Sequence, residues 1–244
     1  DPSQYEPHIT LRRPYDGSFV YAPSLDDAVI LVLSAYIEHG DVIKFEDVSC
    51  NIDGETVQLQ TAYPNDPDNG YWYATWIPKS YGETTMTASI TQSGGKTTSL
   101  SNTFTVTDNI TDIQVTAMHG ELVISPSQQV NTAEYVFPSH VNAFNDIRMN
   151  YEHSCVGACD TYDRVGYCRV KNHRGEWVEL YRYVTPFGVE CDADLDVSDY
   201  STVLQGLVEF EVYFQAWQGD GYNPSLTFNY TAGTPEYKYI DMNE

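Results

Sequence analysis

Positive charge is scarce in this 244-residue chain: 12 Lys and Arg stand against 35 Asp and Glu, for a formal charge of −23. Binding phosphate backbones or anionic lipid heads needs clustered cations, so neither nucleic acid nor a membrane surface is expected as a partner. Long apolar runs are missing too. No stretch approaches the ~18 residues that span a bilayer, and the longest, Ala28–Tyr36, reads as a buried strand. Membrane insertion is therefore not expected. Apolar residues at helical spacing are hard to find. There is no nucleophile elbow with a Ser/His/Asp arrangement and no Gly-rich loop to cradle a phosphate. The chain opens at Asp1 without a Met or a basic-then-apolar leader, as expected of a mature or excised product.

What is abundant is strand material. Aromatics make up 14% of the chain, with 20 Tyr, and hydrophobic residues 41%. Tyr, Thr and Val suit a pleated, half-buried surface, and the fold class read from them is all-β. Residues 1–108 read as an immunoglobulin-like sandwich. Candidate strands there are 8–13, 28–37, 42–48, 57–63, 71–77, 84–91 and 99–107, separated by turns such as Pro14–Gly17, Asn51–Gly54, Pro64–Gly70 and Ser93–Gly95. Trp72 and Trp76, four apart on one face, read as core packing with ligand stacking as the alternative. After the polar stretch 107–112, residues 109–244 read as an eight-stranded antiparallel jelly roll. Its candidate strands are 113–117, 121–124, 133–137, 146–151, 164–171, 177–184, 195–197, 208–216 and 225–230. A short helix over 198–204, capped by Ser198, is the one helical expectation.

Five cysteines leave several pairings open. Cys155, Cys159, Cys168 and Cys191 can form two bridges in three ways, with Cys50 left as a small buried hydrophobe. Zinc on Cys155-x3-Cys159 with His153 is the competing use. Disulfides are favoured, because Cys168 and Cys191 stand apart, and they imply an oxidising, extracellular or cell-surface location. His140, His153 and His173 fall in or near predicted loops and are expected to be solvated. Asp192, Asp194, Asp196 and Asp199 form the densest acidic run, but they lack the glycine and Glu of an EF-hand, so calcium is a weak possibility. Asn109-Ile-Thr111 and Asn229-Tyr-Thr231 are glycosylation sequons, a motif that arises often by chance.

The second half carries a more specific pattern. Cys159-Asp-Thr-Tyr-Asp163-Arg164 is followed by Val170-Lys-Asn172, Gly175-Glu-Trp177, Glu179-Leu180, Thr185-Pro186, Asp196-Val-Ser-Asp199, Trp217 and Gly233-Thr-Pro-Glu-Tyr-Lys-Tyr239. In order and spacing, residues 113–240 resemble the amino-terminal jelly roll of the peptide:N-glycosidase F family. That family hydrolyses the amide joining an N-glycan to Asn, in a cleft between two jelly rolls. The resemblance implies that Asp163 matches the essential aspartate, with Arg164 beside it to keep it ionised. Tyr162 stands for a tryptophan of the cleft wall, and Trp217 for a tryptophan that packs on a sugar face. It also implies a Cys155–Cys159 bridge, which leaves Cys168 with Cys191.

Gln215 stands where the family has a glutamate, and glutamine cannot exchange a proton. The cysteine pair is one residue closer than in the family, and the chain ends five residues after Tyr239, where the family continues into a second jelly roll. Asp163–Arg164 thus reads either as a functional remnant or as an ordinary ion pair at a strand edge. The expected function is a secreted or cell-surface module that binds an N-glycan or glycoprotein, or adheres, without cleaving it. Further domains of the same polypeptide are compatible with it. The alternatives are the first part of an active peptide-N4-(N-acetyl-beta-glucosaminyl)asparagine amidase, or a structural subunit of a surface assembly.

Overall fold

A computed structural model describes residues 5–37, 44–61, 70–119 and 123–237. Gly40 and the start of the strand expected from Val42, the turn residues 64–69, Glu121 and Leu122, and Lys238 and Tyr239 lie outside the described residues. The first half forms β1 (Pro7–Arg13), β2 (Phe19–Tyr21), β3 (Val29–Ile37), β4 (Phe45–Ile52), β5 (Glu55–Val57), β6 (Gln60–Thr61), β7 (Tyr71–Trp76), β8 (Gly82–Gln92) and β9 (Thr97–Thr107). They pair as β1-β3-β7-β6 and as β2-β9-β8-β4-β5, with β2 parallel to β9 and every other contact antiparallel. That is the strand order of an immunoglobulin sandwich.

Sequence explains these strands directly. Val29–Ile37 is β-branched and apolar because both of its faces are covered. In β8 and β9, buried Met86, Ala88, Ile90, Phe104 and Val106 alternate with a polar outer face. There Thr87–Ser101, Ser89–Ser99 and Thr91–Thr97 form cross-strand hydroxyl pairs at 2.6–2.7 Å. Both tryptophans of β7 pack inward: Trp72 meets Phe45 edge-on at 5.0 Å and Trp76 meets Phe104 at 5.9 Å. Core packing is therefore their role. Within the described residues the expected strand 57–63 is divided between β5 and β6, and three-residue β2 follows the Pro14–Gly17 turn in a stretch given no strand.

The second half forms β10 (Ile113–Ala117), β11 (Val130–Phe137), β12 (Ser139–His140), β13 (Phe144–Cys155), β14 (Val165–Lys171), β15 (Trp177–Val184), β16 (Cys191–Asp196), β17 (Gly206–Phe214) and β18 (Tyr222–Ala232). Two four-stranded sheets, β10-β18-β13-β16 and β11-β17-β14-β15, face each other. With β12 set aside, the first, third, sixth and eighth strands share one sheet, and the second, fourth, fifth and seventh share the other. This is jelly-roll order. Phe137, Phe144, Phe210, Phe228 and Tyr230 fill the space between them at ring distances of 5.0–6.4 Å.

β12 leaves this sandwich and lies parallel to β2, adding a strand to the first half's sheet. Beside it Arg12 reaches Glu134 at 2.7 Å. Gly206 turns at φ +70°, and a Cβ there would stand 2.3 Å from the Arg12 carbonyl oxygen, so only glycine fits that approach.

Three expectations need correction. The short helix expected over 198–204 is a 3-10 helix confined to Ser198–Tyr200, and Ser198 does not cap it. Its Oγ accepts the Ile147 N–H at 2.9 Å instead, which ties the turn to β13. Only Cys155–Cys159 is bridged; Cys168 and Cys191 are free thiols, as is Cys50. The reason is topological: Cys168 points inward from the middle of β14, whereas Cys191 opens the edge strand of the opposite sheet, where its Sγ lies 3.6 Å from His153 Nδ1. Tyr151 and Tyr183 pack ring to ring at 4.8 Å across the space between those sheets. Burial pushes the Cys50 thiol up to about 11 and the Cys168 thiol up to about 12, so neither is a ready nucleophile. Peptide mapping without reduction should recover Cys155 linked to Cys159 and the other three cysteines alkylated; a peptide linking Cys168 to Cys191 would contradict this fold.

The third correction concerns histidine. His140, His153 and His173 are all buried, at 5%, 1% and 4% exposure. His140 lies in β12 and His153 in β13, and His173 sits in the β14–β15 turn with its ring 4.8 Å from Tyr73 of the first half. His153 is covered by Tyr183, Phe214 and Tyr222 of its own sandwich, His140 by Phe144 and Tyr230, and His173 by Tyr73 of the first half, contacts that no local pattern reveals.

Candidate functional site

The loop from β13 to β14 and the loop from β17 to β18 meet at one end of the jelly roll. The Cys155–Cys159 bridge closes a short turn in the first. Asp220 locks the two together, its carboxylate accepting the Ala158 N–H at 2.9 Å while its own N–H donates to the Ala158 carbonyl at 3.0 Å. Gly219, at φ +79°, lets the chains pass this closely: a Cβ would lie 2.5 Å from the Ala158 oxygen.

Asp160 organises the junction. Its buried carboxylate accepts Arg164 Nε at 2.7 Å and Arg164 Nη2 at 3.0 Å, forming a bidentate pair. It also accepts the backbone N–H groups of Tyr162 at 3.1 Å, Trp217 at 3.1 Å and Gln218 at 3.0 Å. Burial alone pushes this carboxyl up, but the Arg164 guanidinium and the three N–H donors outweigh it and hold the group at about 2. The Asp160 N–H in turn donates to the Tyr222 hydroxyl at 3.1 Å, and the Arg164 N–H to Thr185 Oγ1 at 2.8 Å.

The arginine so fixed meets two rings: the Tyr162 centroid lies 5.2 Å from the guanidinium carbon and that of Trp217 4.7 Å. Arg164 is 8% exposed, whereas Tyr162 and Trp217 are 51% and 62% exposed. The result is two large rings held rigidly at the surface by a neutralised cation, at little side-chain entropy cost to any ligand that lies against them.

Of the residues singled out in the sequence, the structure brings Tyr162, Arg164 and Trp217 together. Gln215 is half-buried two residues before Trp217, its N–H donating to the Val165 carbonyl at 3.0 Å. Asp163 is placed otherwise. It is exposed, and the arginine expected to orient it belongs to Asp160, so the Asp163–Arg164 ion pair is corrected to Asp160–Arg164. Adjacent residues in an extended segment point apart, and Arg164 turns inward. Asp160 escaped the sequence reading; its signal was an Asx-type turn, with Asp160 Oδ1 accepting the N–H two residues on.

The acidic run has an ordinary setting. Asp192, Asp194 and Asp196 alternate on the exposed face of edge strand β16, roughly 7 Å apart, and Arg148 Nε binds Asp194 at 2.8 Å. Among the described residues no three His, Cys, Asp or Glu side chains cluster as a metal would require, and no helix there is long and apolar enough to cross a membrane. Of the two sequons, Asn109 is exposed, but the Asn229 amide bonds Gln114 at 2.7 Å and Asn150 at 3.1 Å within the sheet.

No family model matches the sequence. A curated relative, peptide-N(4)-(N-acetyl-beta-D-glucosaminyl)asparagine amidase F of Elizabethkingia miricola, is 34% identical over 112 residues, covering 43% of this chain and 32% of that protein. This chain thus spans about a third of the length of the curated relative it matches. Among solved structures, that of a peptide-N(4)-(N-acetyl-beta-D-glucosaminyl)asparagine amidase covers 52% of this chain and 44% of its own at 28% identity, with a TM-score of 0.49. PNGF-II covers 88% of this chain and 59% of its own at 10% identity, with a TM-score of 0.41. The second half thus has the strand order of a jelly roll, and over 112 residues the chain is similar in sequence to peptide-N(4)-(N-acetyl-beta-D-glucosaminyl)asparagine amidase F.

Proposed function

We propose that the chain is a two-module region, divided near residue 108, of a secreted or cell-surface protein, and that it holds an N-glycan or glycoprotein without cleaving it. The observation that carries this is the Tyr162–Arg164–Trp217 stack: two exposed ring faces held rigidly by a buried Asp160. Sugar rings present flat C–H faces that pack on such surfaces, with hydroxyls left for polar neighbours such as Gln215 and Asp163. The Cys155–Cys159 bridge fits an oxidising compartment.

Hydrolysis of the glycosyl-asparagine amide needs an activated water and a group to protonate the leaving nitrogen. Asp160 and Asp220 at this end are engaged by Arg164 and the Ala158 N–H, Asp163 is exposed, and Gln215 offers no proton. The second reading, the first part of an active amidase, is favoured by the 34% identity to an enzyme of which this chain spans a third, and by Asp163 lying exposed beside the aromatic pair.

Titration with a denatured N-glycopeptide separates these readings. Trp217→Ala and Tyr162→Ala should each weaken binding about tenfold, the worth of one stacked ring, with the Asn left unconverted. Asn-to-Asp conversion that disappears in Asp163→Ala would replace the binding reading with the amidase one. Unchanged affinity in both ring variants would remove the stack as the site.

A further inference from the structure

The outer face of the β11-β17-β14-β15 sheet carries a second aromatic system, away from the loop junction. Tyr213 and Tyr167 are cross-strand partners with rings stacked at 5.0 Å. Arg169 follows on β14, its guanidinium 5.2 Å from the Tyr167 ring and 4.8 Å from that of Trp177, and Lys171 Nζ lies 5.0 Å from Trp177 on the far side. Rings and cations thus alternate along the strand. Tyr167 to Lys171 spans about 13 Å at the rise of a strand, room for a short oligosaccharide instead of a single ring.

A bulge in β15 builds part of this face. Cys168 pairs with Tyr181 but Arg169 pairs with Glu179, so Leu180 is the extra residue. In a regular strand, residues 179 and 182 would point to opposite faces. The bulge turns both outward, where Arg182 Nε binds Glu179 at 3.0 Å and Arg182 lies 5.9 Å from the Tyr167 ring.

Charge separates this face from the rest of the molecule. Of the chain's 12 Lys and Arg, five (Arg12, Arg169, Lys171, Arg174 and Arg182) lie on it or at its border with the first half. Four carboxylates accompany them: Glu134, Glu179, Glu209 and Glu211. With Glu176, in the same turn as Arg174, the face is about neutral on a protein of charge −23. Fixed cations and carboxylates side by side suit a ligand that both accepts and donates. A sugar acid does both, since its carboxylate accepts from the Arg forks and its hydroxyls donate to the Glu oxygens. A polyphosphate brings acceptors only, and these carboxylates repel it.

We propose that this sheet face is a binding track for a carboxylate-bearing oligosaccharide, read by Arg169 and Arg182 and supported by the Tyr167, Tyr213 and Trp177 rings. It stands on its own observations, apart from the reading of the Trp217 stack. The test is calorimetric titration of the whole chain with tetragalacturonate, its fully methyl-esterified form and a sialylated oligosaccharide, at low and high salt. At least one acidic probe should bind, more weakly in high salt, and the neutral ester should bind about tenfold or more weakly. Arg169→Gln and Trp177→Ala should lose about tenfold or more, while Arg148→Gln, on β13 of the opposite sheet, should leave this affinity unchanged, which separates the track from surface arginines in general. Unchanged thermal melts in the variants would show that the sheet is intact. The proposal fails if neither acidic probe binds, if the ester binds equally, or if Arg169→Gln and Trp177→Ala bind as the parent does. It also fails if the face instead mediates concentration-dependent self-association that Arg169→Gln abolishes.

Discussion

Asp160→Ala should destabilise the chain by about 3–5 kcal/mol, the loss expected when one partner of a buried ion pair is removed. Arg164 would stay buried beside Tyr162 and Trp217 with no counter-charge, and the N–H groups of Tyr162, Trp217 and Gln218 would lose their common acceptor. A shift of the urea midpoint at unchanged slope is the readout. Adding Arg164→Leu should restore part of the loss, because the uncompensated charge is then gone. A cost below about 1 kcal/mol in the single variant would mean that the pair is not the organiser described above. The linkage sign follows from the depressed carboxyl. Its folded value of about 2 lies below the ordinary ~3.9, so its stabilisation is complete above about pH 4 and is lost as pH falls through about 2.

A second large effect is expected from His140, in a different pH window. Its ring is buried against Phe144 at 5.0 Å and Tyr230 at 6.2 Å, neither ring nitrogen has a hydrogen-bond partner, and Arg13 adds a nearby positive charge. Burial first, and Arg13 second, lower its pKa to about 3. The fold therefore holds the neutral imidazole while the unfolded chain takes up a proton near 6.5. Stability is complete above about pH 6.5 and falls steadily toward pH 3, by an amount on the order of 4 kcal/mol. His153, lowered to about 4 chiefly by its own burial, adds to the same slope. Measured from pH 7 to pH 4, His140→Phe should flatten much of this loss; a slope identical to the parent's would show that the His140 ring is solvated. The position gives the effect structural reach, because β12 is the strand that joins the second sandwich to the first half's sheet.

Much of the strand framework was readable from residue order alone. Strands with a strict alternation, such as β8, β9 and β14, or with a continuous β-branched run, such as β3, follow from side-chain period and the need to cover apolar faces. β2 and β12 were not readable. Each has three residues or fewer and no pattern of its own, and each exists because a neighbouring strand offers unpaired backbone groups. The cap of the short 3-10 helix at Ser198–Tyr200 was misjudged for a related reason: Ser198 spends its hydroxyl on a distant backbone N–H of β13 instead of on its own turn.

The candidate site shows the same divide. Tyr162, Arg164 and Trp217 were singled out by what the resemblance to the peptide:N-glycosidase F family implies, because they match its motif in order and type. Which carboxylate Arg164 would select could not be chosen, because Asp160 and Asp163 are close in sequence and both are chemically suitable. Loop packing decided it by burying Asp160 where the Trp217 and Gln218 N–H groups converge, leaving Asp163 in water.

By itself, the sequence determined an all-β chain and a low count of cations, which depend on local period and composition; the short Cys155–Cys159 bridge was implied by the family resemblance. Only the tertiary structure decided the fate of Cys168 and Cys191, the burial of the three histidines, and the gathering of five cations on one sheet face. Those depend on which strands become neighbours, and neighbours far apart in sequence are selected by the free energy of the whole packed sandwich, not by any one segment.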